Sequence, residues 1–79
     1  MDKKVIIEKL TPIFREVFSD PNLVLTDELT ANDVDNWGSL THMTMMAEVE
    51  QTFGIAFKLK ELKKLNTVGE LIEAIQTKA

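Results

Sequence analysis

Ser39 and His42 are the two residues of this chain whose types and spacing first suggest chemistry. A nucleophilic serine needs a base within hydrogen-bond reach, and His42 is the sole histidine of the sequence. Residues three apart on a helix are surface neighbours, so such a pair is geometrically possible. The surrounding stretch, DNWGSLTHM, lacks the Gly-x-Ser-x-Gly turn that presents a nucleophilic serine. We therefore expect no catalytic site, and we expect His42 to be an exposed helix residue.

Ser39 has two other possible uses if it opens a helix. A serine hydroxyl is a favoured N-cap, so Ser39 could simply cap the helix that follows. The unpaired N–H groups and the dipole of a first turn also favour an anion, so a phosphodiester on Ser39 would be well placed. Another enzyme could modify an exposed Ser39 without any local base. The residues alone leave both uses open.

The elements that position Ser39 are predicted to be helices, because no segment shows the alternation of a strand. Helical spacing of apolar residues predicts helices over residues 3–18, 39–53 and 59–64, and a last one that Thr67 caps and that ends at residue 77. Pro12 predicts a kink, or a division into two parts, near residues 8–12. The fold class is therefore all-α: three main helices and one short one, in a single domain over residues 1–79.

The predicted second helix has two apolar stripes. One stripe is expected to face the core and comprises Met45, Met46, Val49 and Phe53. The other comprises Leu40, Met43, Ala47 and Glu50. The long loop before this helix, residues 19–38, is expected to contain short helical turns and to be anchored on the core by its apolar residues, namely Leu23, Leu25, Leu29, Val34 and Trp37.

Composition excludes several classes of function. The chain has 79 residues, a net charge of -4 and no cysteine, so disulfides and cysteine-based metal sites are excluded. No Lys or Arg lies between Arg15 and Lys58, where acidic residues would repel a nucleic-acid backbone and attract a basic protein surface. No apolar run reaches the roughly 20 residues that a bilayer crossing needs, and no signal peptide is evident. We expect a monomeric cytoplasmic protein.

The stretch NWGSLTHM resembles the Asp-Ser-Leu attachment motif of acyl carrier proteins. The resemblance extends over nearly the whole chain: a first amphipathic helix, a long loop, the motif at the start of the second helix, the sequence EQTFGI at its end, and two further helices. The string TANDVDNWGSL is similar to free-standing carriers of specialised acyl pathways.

This resemblance implies a cofactor, a site and partners. Ser39 would receive 4'-phosphopantetheine from coenzyme A, through a separate phosphopantetheinyl transferase. The arm would carry an acyl group as a thioester, as in fatty acid or polyketide biosynthesis, to acyl-loading and acyl-using enzymes. The protein itself would not be an enzyme. In this family the second helix docks partners, which here points to the outer stripe of Leu40, Met43, Ala47 and Glu50.

The sequence departs from the family at Gly38, where aspartate is usual, and in Thr41 and Thr44, where acids are common. The absence of a charge at Gly38 puts efficient modification in question. Two alternatives stay open: a carrier for aminoacyl or peptidyl groups, and a small helical interaction domain that is never modified. The cargo and the pathway are not specified by the sequence.

Overall fold

The computed structural model describes residues 2–78, and within them the chain is helical. The helices are α1 (Lys3–Val17), a single 3-10 turn (Ala31–Asp33), α2 (Ser39–Phe53), α3 (Leu59–Lys64) and α4 (Val68–Lys78). The extended pairing seen in this range is one isolated bridge between Thr30 and Thr67. The predicted all-α class is confirmed, and the helix boundaries agree with the predicted ones to within one residue.

The core lies where α1 packs against α2 and α4. The predicted apolar faces of all three helices point into it, and the fully buried side chains come from each of them: Ile6, Leu10, Phe14, Met45, Met46, Val49, Val68 and Ile75. Phe53 is only partly buried at the edge of this core. Because the inward face of α2 is occupied in this way, its opposite face is left to solvent.

Pro12 does not divide the first helix, so the predicted division into two parts is wrong, while the alternative of a kink stays a prediction. The helix α1 runs without a break from Lys3 to Val17. A proline at position 12 removes one hydrogen bond, the one that its N–H would have donated to the carbonyl of Glu8. Glu8 and Pro12 are both exposed, so water can satisfy that carbonyl and the helix continues.

The long loop is anchored on the core as predicted. Leu23, Leu25 and Val34 are buried, and Leu29 and Trp37 pack against the core from its edge. The predicted short helical turn is the 3-10 turn, which Thr30 caps through a hydrogen bond from the N–H of Asn32. The loop is therefore held against the core along its course to Ser39.

The short helix α3 is held in place by contacts of its first turn. Gly54 ends α2 in the left-handed conformation, with φ +64°. At the start of α3 the N–H of Lys58 donates to Glu61 Oε1 at 2.9 Å, and the Lys78 ammonium lies 3.0 Å from Glu61 Oε2. The Lys58 N–H and then Lys78 hold the pKa of the Glu61 carboxyl below its usual range. These contacts tie α3 to the end of α4.

Candidate functional site

The start of α2 is built around Gly38 rather than Ser39. Gly38 is the N-cap, with φ −117° and ψ −169°, and Ser39 is the first helical residue. The interpretation of Ser39 as an N-cap is therefore wrong. The Gly38 backbone is extended and open to any residue, and a Cβ added there would meet nothing within 4 Å. Neither conformation nor space requires a glycine at this position.

Thr41 supplies the polar contacts that fix this helix start. Its hydroxyl accepts from the N–H of Gly38 at 2.7 Å and donates to the carbonyl of Asn36 at 2.6 Å. The side-chain amide of Asn36 donates in turn to the carbonyl of Phe18, at 2.7 Å. The Ser39 hydroxyl takes no part in this network: it is exposed and makes no hydrogen bond within residues 2–78. The helix start is thus fixed while Ser39 stays free.

Trp37 and His42 form a pair at the same point, and the expectation of a simply exposed His42 is wrong. The Trp37 indole N–H donates to His42 Nδ1 at 3.0 Å. The two rings are nearly parallel, with centroids 6.1 Å apart and an interplanar angle of 14°. A half-buried indole needs a partner for its N–H, and His42, one turn into α2, provides it. As predicted, Trp37 packs the loop end onto the bundle, through Phe14 and Phe18.

This pairing also decides which proton the histidine carries. A neutral imidazole has one N–H and one acceptor nitrogen. Because Nδ1 accepts from Trp37, the proton of the neutral ring is on Nε2. In this form Nε2 is a donor and cannot take a proton from Ser39. The side chains therefore do not form a nucleophile–base pair.

A groove of about 610 Å³ opens beside Ser39 between α2 and α3. Ser39, His42 and Met43 lie on its α2 side. Apolar residues of α3 and the segment after it form the opposite wall: Leu59, Leu62 and Leu65. Within residues 2–78, Lys63 is its one charged lining residue. None of these α3 residues is among the site residues predicted from the sequence, although the spacing of Leu59 and Leu62 places them on one helix face.

The outer stripe of α2 lies on the surface next to this groove. Leu40 is 85% exposed and Met43 is 49% exposed, and Ala47 is also exposed. Met46, in the inward stripe, is 1% exposed, so the predicted orientation of the helix is confirmed. Glu50 differs from its neighbours, because it is half-buried and its Oε2 accepts from the N–H of Phe57 at 2.7 Å. One of its oxygens therefore has a structural role.

The electrostatic character of the surface changes along α2. From Ser39 to Ala47 the helix has no acidic residue, and its two acids, Glu48 and Glu50, come in its second half. The segment that forms α3 and its N-cap is basic, with Lys58, Lys60, Lys63 and Lys64. The part of α2 around Ser39 is thus without charge, with the lysines of α3 across the groove, and the acids of α2 lie further along the helix. Among residues 2–78 no group of three side chains is arranged to hold a metal ion.

The chain matches the family of the phosphopantetheine attachment site over residues 8–75. Because this match covers most of the sequence, the chain belongs to that family. It is 32% identical to the acyl carrier protein of Buchnera aphidicola (strain 5A), over 96% of this chain and 85% of the relative. It is 30% identical to the acyl carrier protein of Thermosynechococcus vestitus, over 99% of this chain and 96% of that one.

A solved structure agrees with these relatives. The solution NMR structure of holo acyl carrier protein from Geobacter metallireducens is 46% identical, with a TM-score of 0.86, over 92% of this chain and 84% of that one. The function of this chain is therefore that of an acyl carrier protein, and its prosthetic group is covalently attached phosphopantetheine. The predicted family, function and cofactor are confirmed. The alternative of an unmodified interaction domain is not supported.

None of the helices within residues 2–78 combines the length and the apolarity that a bilayer crossing requires.

Proposed function

We propose that Ser39 is the residue to which the phosphopantetheine is attached. The observation that carries this proposal is a free, exposed hydroxyl on the first residue of α2, where Thr41 and not Ser39 fixes the helix start. The surroundings fit the group: nothing crowds Gly38, and the groove beside Ser39 is mainly apolar. When bound there, the group supplies a terminal thiol that holds an acyl group as a thioester.

Ser19 provides a matched control, because it is the other serine of the sequence. It lies just after α1, in the left-handed conformation with φ +55°. We expect wild type and Ser19→Ala to gain one phosphopantetheine on incubation with coenzyme A and a broad-specificity transferase. Ser39→Ala should gain none while its helical circular dichroism is unchanged. Intact mass is the measurement, and a mass gain on Ser39→Ala would overturn the assignment.

We infer that the chain is a carrier and not an enzyme. Ser39 has no base among the described residues, since His42 Nδ1 accepts from Trp37 and the protonated Nε2 is a donor. The base that activates Ser39 must therefore come from the transferase. The partners are this transferase and the enzymes that load and use the acyl group. We further propose that the chain acts as one domain, as a monomer, in the cytoplasm.

We also propose that partners dock on the outer stripe of Leu40, Met43, Ala47 and Glu50. The support is its position: it adjoins Ser39, and it contains Leu40, an exposed leucine with no core to fill. A flexible Met43 suits an adaptable apolar contact. Glu50 is expected to offer a partner one carboxylate oxygen, because the other already accepts from the Phe57 N–H.

Met43→Ala and Met46→Ala form a matched pair that tests this orientation. Met46 is buried, so Met46→Ala should lower the free energy of unfolding by about 2–5 kcal/mol. Met43→Ala should cost well below ~2 kcal/mol but should slow modification by the transferase. Denaturant melts and modification rates are measured on the same samples. If Met43→Ala destabilises the fold as much as Met46→Ala and leaves the rate per folded molecule unchanged, the docking proposal fails.

A further inference from the structure

The His42 ring is held in one orientation by contacts that have no part in attachment itself. Its Nδ1 accepts from the Trp37 indole, and its plane lies nearly parallel to that indole, at 14°. Trp37 is itself fixed, because it stacks on Phe18 with centroids 5.1 Å apart and meets the edge of Phe14 at 5.5 Å. The imidazole is therefore supported on the aromatic part of the core and does not swing as an isolated surface side chain would.

This support leaves one polar atom of the ring without a partner. With the proton of the neutral ring on Nε2, that atom is a hydrogen-bond donor, and it makes no hydrogen bond within residues 2–78. His42 lines the groove between α2 and α3 together with Ser39. Residues three apart on a helix have Cβ atoms about 5–6 Å apart, which is within reach of a phosphodiester on the first of them.

We propose that in the loaded protein His42 Nε2–H donates a hydrogen bond to the phosphodiester on Ser39. His42 is then a positioning residue, which directs the beginning of the arm along the groove toward the wall formed by Leu59 and Leu62. The Trp37 indole sets the tautomer that makes this donation possible. The inference rests on attachment at Ser39, and it goes beyond it by assigning a role to the Trp37–His42 pair.

A purely structural role for the pair has different consequences. If His42 served only to satisfy the Trp37 N–H, loading would leave its Nε2–H unchanged. Lys63, a charged residue that lines the groove, is the other candidate to hold the phosphate. Three variants separate donation by His42 from these two alternatives. In His42→Gln the amide can both accept from Trp37 and donate to the phosphate, whereas His42→Phe can do neither. Lys63→Met tests the role of the lysine.

The experiment compares apo and loaded protein by NMR, with loading verified by intact mass. The single histidine and the single phosphodiester each give one unambiguous set of signals. We expect loading to slow exchange of the His42 Nε2–H by about tenfold or more, because hydrogen bonds to charged acceptors are among the stronger ones. The phosphorus-31 signal of loaded His42→Phe should differ from that of wild type, and His42→Gln should restore most of it.

The outcomes separate this inference from the proposed attachment. Full loading on Ser39 with an unchanged Nε2–H overturns the role of His42 and leaves the attachment intact. Failure of wild type to gain mass on Ser39 overturns both. Lys63→Met is expected to keep the slow Nε2–H exchange, and its loss in that variant would assign the phosphate to the lysine. If His42→Phe unfolds, the apo–loaded comparison and His42→Gln still decide the matter.

Discussion

The starts of α2 and α4 differ in whether their first backbone N–H groups are hydrogen-bonded. In α4 the first three N–H groups all have partners: Val68 donates to the carbonyl of Leu29, Gly69 to that of Asp27, and Glu70 to the hydroxyl of Thr67. In α2 the corresponding N–H groups, of residues 39–41, have no hydrogen-bond partner within residues 2–78. One helix start is closed by the chain, and the other is left open.

The long loop gives its backbone hydrogen bonds to the start of α4 and leaves the N–H groups at the start of α2 without them. The long loop passes close to α4 and supplies carbonyls to it, which fastens the loop to the bundle. The same loop then reaches α2, where Gly38 and Asn36 bond to the Thr41 hydroxyl. Trp37 bonds to His42, and these contacts fix the helix without covering its end. Free N–H groups at a helix start favour an anion. The open end is therefore the one that suits a phosphodiester.

Of the substitutions at the two helix starts, Gly69→Val should have the largest effect on the free energy of unfolding. A Cβ at Gly69 would lie 3.0 Å from the carbonyl oxygen and 3.2 Å from the Cβ of Asp27, so backbone must move. We expect the free energy of unfolding to fall by about 2–3 kcal/mol, as for an overpacked site. The matched Gly38→Val should cost below ~1 kcal/mol, because only the capping preference changes there. Equal losses in denaturant melts would contradict the comparison.

Removal of the Thr67 hydroxyl should have an intermediate effect on the free energy of unfolding. Thr67→Ala removes the cap of α4, and we expect a loss of about 0.5–2 kcal/mol in the free energy of unfolding. Ser39→Ala removes a hydroxyl from the open start, where it makes no contact, and should change stability by at most about 0.5 kcal/mol. Thermal and denaturant melts of both variants check this. A Ser39→Ala variant as unstable as Thr67→Ala would show that Ser39 is structural.

Gly38→Asp should give the smallest effect, and it should be stabilising. Aspartate caps a helix slightly better than glycine, by a few tenths of a kcal/mol, and its charge complements the helix dipole. Since a side chain there meets nothing within 4 Å, we expect a gain of that size and faster modification by the transferase. Melts and initial rates measure the two quantities. A slower variant would mean that the transferase favours an uncharged residue at this position.

The parts of the fold that follow local rules were predictable from the sequence. Repeated apolar spacing defined the helices, and the positions of Met45, Met46 and Val49 followed from that spacing. The left-handed Gly54 and the capping Thr67 are also local signals. Whether Pro12 divides α1 was not predictable, because the free-energy cost of an internal proline depends on whether the released carbonyl reaches water, which is a property of the folded surface.

The parts of the site that depend on tertiary contact were not predictable. The Trp37–His42 hydrogen bond joins a loop residue to a helix residue, and no periodicity specifies it. The placement of Gly38 as N-cap depends on backbone angles that the letters Gly-Ser-Leu do not determine. The groove depends on how α3 lies beside α2. The carrier motif points to Ser39, but the surroundings of this residue depend on packing.

The bridge between Thr30 and Thr67 has a consequence for the entropy of the long loop. Because the bridge holds this loop near its middle, residues 19–38 behave as two short loops instead of one long one. Closure entropy grows only with the logarithm of length, so that doubling a flexible loop costs about 0.6 kcal/mol. Insertions in either half would therefore cost little closure entropy, whereas residues 27–30 have to keep their register against the start of α4.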